Sequence, residues 1–187
     1  MKQSLGPKSL GFPAPVVLVG SYDRHGTPNI MTAAWVGICC SSPPCVSVAL
    51  RRATLTYQNI TDRKGFTINT PGVRHLKQVD YAGVISGAHE NKFVSTGLTP
   101  IHSDLVDAPY VDECPLVLEC KLVQAIELGL HTQFIGEVVD VKAEPGILDP
   151  ADVPDLKKLG PILYAPGMRT YFALGESLGK AHVVGRK

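Results

Sequence analysis

Short runs of β-branched and aromatic residues recur at spacings near ten residues, each closed off by Gly, Pro, Asn or Asp, and no regular helical stretches alternate with them. That pattern predicts a mainly β barrel or sandwich with a few peripheral helices, and it argues against a doubly wound parallel sheet. Val16-Val17-Leu18-Val19-Gly20-Ser21-Tyr22 leads into the turn cluster Asp23-Arg24-His25-Gly26-Thr27-Pro28, so a hairpin is predicted. The next strand is predicted over residues 29–37. Ser41-Ser42-Pro43-Pro44 then breaks the chain, since proline cannot sit in a central ladder, and a third strand is expected over residues 45–50. Residues 54–63 and 76–84 read as helices, with a strand over residues 65–70 between them. Residues 116–128 and 132–143 suggest a long hairpin turning at Gly129-Leu130-His131, and strands over 161–164 and 170–174 close the chain.

With 187 residues and no linker or repeat, one domain over residues 1–187 is expected, large enough to fold without disulfides or a structural metal. Eighteen basic residues against 17 acidic ones give no electrostatic reason for a nucleic-acid or acidic-membrane partner. No segment approaches the roughly 20 apolar residues needed to span a bilayer, and the first residues lack the apolar run of a signal peptide. Together with five cysteines, an odd number, this predicts a cytoplasmic protein with reduced thiols. No GxGxxG or GxxxxGK[ST] sequence is present, so a nucleotide would have to be held by other means.

A set of short matches carries a resemblance across almost the whole chain. Its parts are Asp23-x-x-Gly26-x-x-Asn29-Ile30-Met31-Thr32-Ala33-Ala34-Trp35, Ser42-Pro43-Pro44, Thr56-Tyr57-x-x-Ile60, Phe66-x-x-Asn69, Ser86-Gly87, Lys92-Phe93, Gly97-Leu98, His131-Thr132-x-x-x-Gly136-Glu137-Val138 and Pro161-Ile162-Leu163-Tyr164. In order and spacing these resemble the flavin-reductase-like, FMN-binding split-barrel family. The resemblance implies an antiparallel Greek-key split barrel with a few peripheral helices, FMN held near a subunit boundary, and a homodimer. It further implies that redox protein partners or NAD(P)H exchange electrons with the site.

An isoalloxazine ring is a flat apolar plate with a polar edge, so it needs a hydrophobic slot beside backbone able to offer N–H and C=O groups. Residues Asn29, Ile30, Met31, Thr32, Ala33 and Trp35 have that make-up, and the resemblance makes this strand the flavin edge. A phosphate needs converging donors, which the segment with Ala49, Leu50, Arg51, Thr54, Thr56 and Tyr57 supplies where a strand ends and a helix begins, and Thr32 is a further candidate. By resemblance Lys92, beside Phe93, is the phosphate lysine. Arg52 reads equally as a solvated loop residue. Trp35 and Tyr164 either touch the ring or fill core or interface.

By resemblance His131 lies beside the ring, where it would receive a redox partner or exchange a proton; the plainer alternative is a turn histidine. Cys39, Cys40 and Cys45 lie close in sequence but lack the CxxC spacing of zinc and iron–sulfur sites, so buried thiols are expected, with Cys40 or Cys39 touching the flavin face. No metal site is expected. Two functions remain open: an electron carrier that keeps its FMN and passes electrons between proteins, or an NAD(P)H-dependent flavin oxidoreductase, with ferric reduction a lesser variant. A non-redox ligand-binding barrel is a third class, and it predicts a colourless protein.

Overall fold

The computed structural model describes residues 1–10 and 13–186. The first strands are β1 (Ala14–Pro15), β2 (Val17–Tyr22), β3 (Pro28–Ala33), β4 (Val36–Ser41) and β5 (Pro44–Arg51). Then come α1 (Leu55–Arg63), β6 (Gly65–Thr70), α2 (Leu76–Val84), α3 (Lys92–Thr96) and the short pair β7 (Pro100–His102) and β8 (Pro109–Val111). The long hairpin of β9 (Leu116–Leu128) and β10 (His131–Ala143) follows, and α4 (Leu156–Leu159), β11 (Ile162–Ala165) and β12 (Thr170–Ala173) end the chain. The expected antiparallel split-barrel architecture is present: a seven-stranded sheet in the order β3-β2-β6-β9-β10-β5-β4, with small sheets β1-β11-β12 and β7-β8 beside it.

One predicted strand is two. Residues 29–37 break at Ala34-Trp35, because β3 pairs with β2 at one margin of the large sheet while β4 pairs with β5 at the other. Two residues therefore join opposite edges. The sheet has to curl until those edges approach, and the Ala49 N–H donates to the Trp35 carbonyl at 2.9 Å, which carries the β4–β5 ladder back to the start of that passage. Pro44 also departs from the expected break: it is the first residue of β5, a position where its missing N–H costs no central ladder bond. His131 is not in the turn but opens β10, opposite both Leu128 and Arg51.

Period-two alternation divides β2 between two cores. Val17 and Val19 point into the barrel with Val48, Ile60, Phe66 and Phe134, whereas Leu18, with Val16 just before the strand, packs with Ile30, Val79 and Phe93 under α2 and α3. Buried polar groups fix the register. The Asn69 amide donates to the Leu18 carbonyl and accepts from the Val111 N–H at 2.8 Å, which ties β8 onto the sheet. Buried Glu119 is paired by Lys142 at 3.0 Å, and the two neighbouring carboxylates raise the lysine's proton affinity. No helix among the described residues is long and apolar enough to cross a membrane.

Candidate functional site

The split between the two sheet margins opens into two connected chambers. The broader one, about 400 Å³, has Met31, Thr32, Ala33, Ala34 and Trp35 along one wall and Ala49, Leu50, Arg51 and His131 along another, with Tyr164 and Gly83 completing it. The narrower one, about 220 Å³, is bounded by Asn29, by residues 53–56 at the start of α1, by residues 83–87 at and beyond the end of α2, and by Lys92. Met31, Thr54 and Gly83 line both. Together they have the size expected of a cofactor cleft, about 300–1,000 Å³.

The narrow chamber converges on an anion. Thr54 caps α1, so its hydroxyl accepts from the Tyr57 N–H at 3.3 Å, while the N–H groups of Leu55 and Thr56 lie in the first turn, where no intrahelical acceptor exists. Thr56 is buried and its hydroxyl accepts from the Asn29 amide at 2.9 Å, which leaves its own proton to donate. Asn91 caps α3 by accepting from the Phe93 and Val94 N–H groups, and this fixes the direction in which Lys92 leaves the helix. Lys92 is only 4% exposed; its ammonium donates to the Ala82 carbonyl at 2.7 Å. Two of its three protons have no acceptor among the described residues. Desolvation pulls this lysine down to about 8.

The structure redistributes several residues proposed from sequence. Ile30 and Phe93 point into the second core, away from both chambers, because β3 and α3 turn those positions toward Val79 and Leu98. Tyr57 packs edge-on against Phe134 at 5.3 Å on the barrel core, and it lines neither chamber. Thr32 and Thr54 line the cleft, but each hydroxyl proton is committed, to the Val79 and Arg51 carbonyls respectively. Arg51 lines the broad chamber beside His131 rather than the narrow one. Arg52 forms a surface ion pair with Glu127.

Cys40 is likewise not brought to the cleft. It sits opposite Cys45, and four residues of extended β5, about 13 Å, separate that pair from Ala49. Cys39 and Cys40 are exposed, contrary to the buried thiols expected; Cys45, Cys114 and Cys120 are buried. Among the described residues no group of three ligating side chains could hold a metal.

Sequence reasoning passed over Gly83 as a wall residue. A glycine inside a helix costs about 1 kcal/mol relative to alanine, and that cost was the available signal. Here a Cβ would lie 3.1 Å from the Thr32 Cβ, so the missing side chain lets α2 approach β3 at the point where the chambers join.

The sequence profile of the flavin reductase like domain matches residues 9–173, and the chain belongs to that family. Within it, the flavoredoxin of Desulfovibrio vulgaris (Miyazaki F) superposes with a TM-score of 0.95 at 51% identity, covering 100% of both chains. A protein of Archaeoglobus fulgidus is 40% identical over 61% of this chain, and the matched part spans 64% of that relative's length. The FMN reductase (NADH) RutF of Pseudomonas syringae pv. syringae is 26% identical over 73% of this chain and 74% of its own.

Proposed function

We propose that this chain is an FMN-binding redox protein of flavoredoxin type that carries electrons between protein partners. The observation that carries the reading is Lys92: a buried ammonium with protons to spare, at the narrow end of a cleft whose broad end has Met31, Ala33, Trp35, Ala49 and Leu50 in its walls. FMN, when bound, supplies a ring that takes up and releases electrons. Lys92, the Thr56 hydroxyl and the first-turn N–H groups of α1 hold the phosphate; Met31, Ala33 and Trp35 form one wall for the ring, and Ala49, Leu50 and Tyr164 bound it elsewhere. Trp35 is 39% exposed, so that wall is open to an incoming partner.

The residues fit this cofactor in charge as well as shape, because a phosphate dianion would give the buried ammonium the counter-charge it lacks. The experiment is a titration of the purified protein with FMN. The expected result is a yellow protein that takes up one FMN per chain at micromolar concentration. A preparation that stays colourless under those conditions would remove the reading.

The likeness to the NADH-using FMN reductase supports a second reading, in which a pyridine nucleotide is the donor and free flavin the acceptor. His131 faces the broad chamber from the start of β10, beside Arg51, where either kind of donor would meet the ring. In both readings it receives the donor or exchanges a proton. His131→Ala is expected to slow reduction of bound FMN by NAD(P)H or by a reduced protein donor, measured by stopped-flow bleaching. Unchanged rates with every donor would show that the imidazole has no such role.

We also infer a homodimer and a cytoplasmic location, with the chain acting as one unit. Leu128 and Leu130, 55% and 65% exposed, project from the β9–β10 turn next to His131, an apolar face suited to a second copy placed beside the cleft. Sedimentation at twice the chain mass is the expected result.

A further inference from the structure

We propose that Cys40 and Cys45 form a reversible dithiol–disulfide couple on the β4–β5 hairpin that exchanges with the disulfide of a partner molecule. In the hairpin, Ser41 faces Pro44 and Cys40 faces Cys45. Directly opposed residues of antiparallel strands hold their Cβ atoms about 4.5–5.5 Å apart, close to the roughly 3.5–4.5 Å of a disulfide, so a small adjustment closes the bond. This juxtaposition is made by a bulge. Ile38 pairs with Val46 and Cys40 with Cys45, so Cys39 is the extra residue and has no cross-strand partner. An unbroken register would have set Cys39 against Cys45 and Cys40 against Pro44.

The two thiols differ in the way such a couple requires. Cys40 is exposed and its Sγ lies 3.4 Å from the Ser42 carbonyl, whereas Cys45 is 8% exposed. Burial, and then the neighbouring Cys40, raise the Cys45 thiol above its ordinary range, which favours Cys40 as the first nucleophile. The Cys40 sulfur attacks one sulfur of the partner disulfide, whose S–S bond breaks, and the first thiol leaves carrying the proton that Cys40 gave up. The Cys45 sulfur then attacks Cys40 in the mixed disulfide and expels the second thiol with the Cys45 proton. One partner disulfide is reduced to two thiols, and one protein dithiol is oxidised to a disulfide. The loop so closed is very short, so the bond gives little cross-linking stabilisation and stays exchangeable. Cys114 and Cys120 are internal controls: both are buried, and burial pushes Cys120 up to about 12.

The test is treatment of the full chain with glutathione disulfide, read by intact mass and by mass of the tryptic peptide 25–51, which carries all three hairpin cysteines. The expected product lacks two hydrogens on that peptide, returns to the starting mass with dithiothreitol, and forms equally in Cys39→Ser. In Cys40→Ser the crosslink is lost and glutathione adducts remain. The proposal is overturned if the unsubstituted chain stays unmodified, if it accumulates adducts without a crosslink, or if the crosslink persists in Cys40→Ser. None of these results depends on whether FMN binds.

Discussion

Lys92→Met is expected to weaken FMN binding by about one to two orders of magnitude, the range set by roughly 1.5–3 kcal/mol for a hydrogen bond to a charged group, while riboflavin affinity stays the same. Methionine replaces a side chain of similar length, so the packing of α3 against α2 is disturbed little. The loss falls on the ammonium. Titration of both flavins by fluorescence quenching separates the two outcomes, and an equal loss for riboflavin would mean that Lys92 acts on the fold instead of the phosphate.

The same lysine is expected to make FMN affinity depend on pH. Without ligand it titrates at about 8, below its ordinary value, because burial disfavours the charge. A bound phosphate dianion favours the charged form and raises that pKa. Above pH 8, then, binding must take up a proton, and affinity falls by up to about tenfold per pH unit until the bound-state pKa is reached. Below pH 8 Lys92 is already charged and contributes no dependence, down to about pH 6, where the phosphate itself starts to protonate. Affinity measured from pH 7 to 10 should be flat and then decline. In Lys92→Met that decline is expected to vanish.

The second large effect concerns stability. In Gly20→Ala the new Cβ would overlap both the Pro109 carbonyl oxygen and the Thr67 hydroxyl, which are hydrogen-bonded to each other at 2.7 Å. Neither atom can yield cheaply. One is backbone, and the other belongs to a fully buried side chain on β6, paired directly with Gly20. Overpacking of this kind costs about 3 kcal/mol, the upper end of its usual range, which lowers Tm by roughly 6–12 °C for a domain of this size. Gly37→Ala is the matched control: it also lies on a strand, but nothing comes within 4 Å of its Cβ, so its melting curve should be unchanged. A Gly20→Ala melt within about 2 °C of the parent would show that β8 can slide outward at little cost.

Much of the architecture could be read from residue patterns, because alternation and turn chemistry are local. The β2–β3 turn was visible in Asp23-Arg24-His25-Gly26, where the Asp23 carboxylate takes the His25 and Thr27 N–H groups at 2.8 Å. The break after Ala33 was not visible. Ala33-Ala34-Trp35-Val36 continues the apolar run, and only pairing at a distance, with β2 before it and β5 after it, divides that run in two. Helix α3 escaped notice because its five residues are too few to display a period.

For the site, residue type indicated chemistry but not commitment. Thr32, Thr54 and Thr56 are equivalent as letters, yet only Thr56 keeps a proton for a ligand, since nearby carbonyls take the other two. Tyr57 and Phe93 belong to the quoted motifs and still face the cores, because the helix period turns them inward. The thiols of β4 reversed the expectation for the opposite reason: they lie on an edge strand, and α2 and α3 pack on the other edge strand, β3.

The two-residue passage from β3 to β4 has a mechanical meaning. Ala34 and Trp35 act as a short tether between the first and last staves of the sheet, so neither margin can swing away without the other. A molecule wedged against that tether touches the first stave, the tether itself and the end of β5 beside the last stave, and so works as a keystone between them.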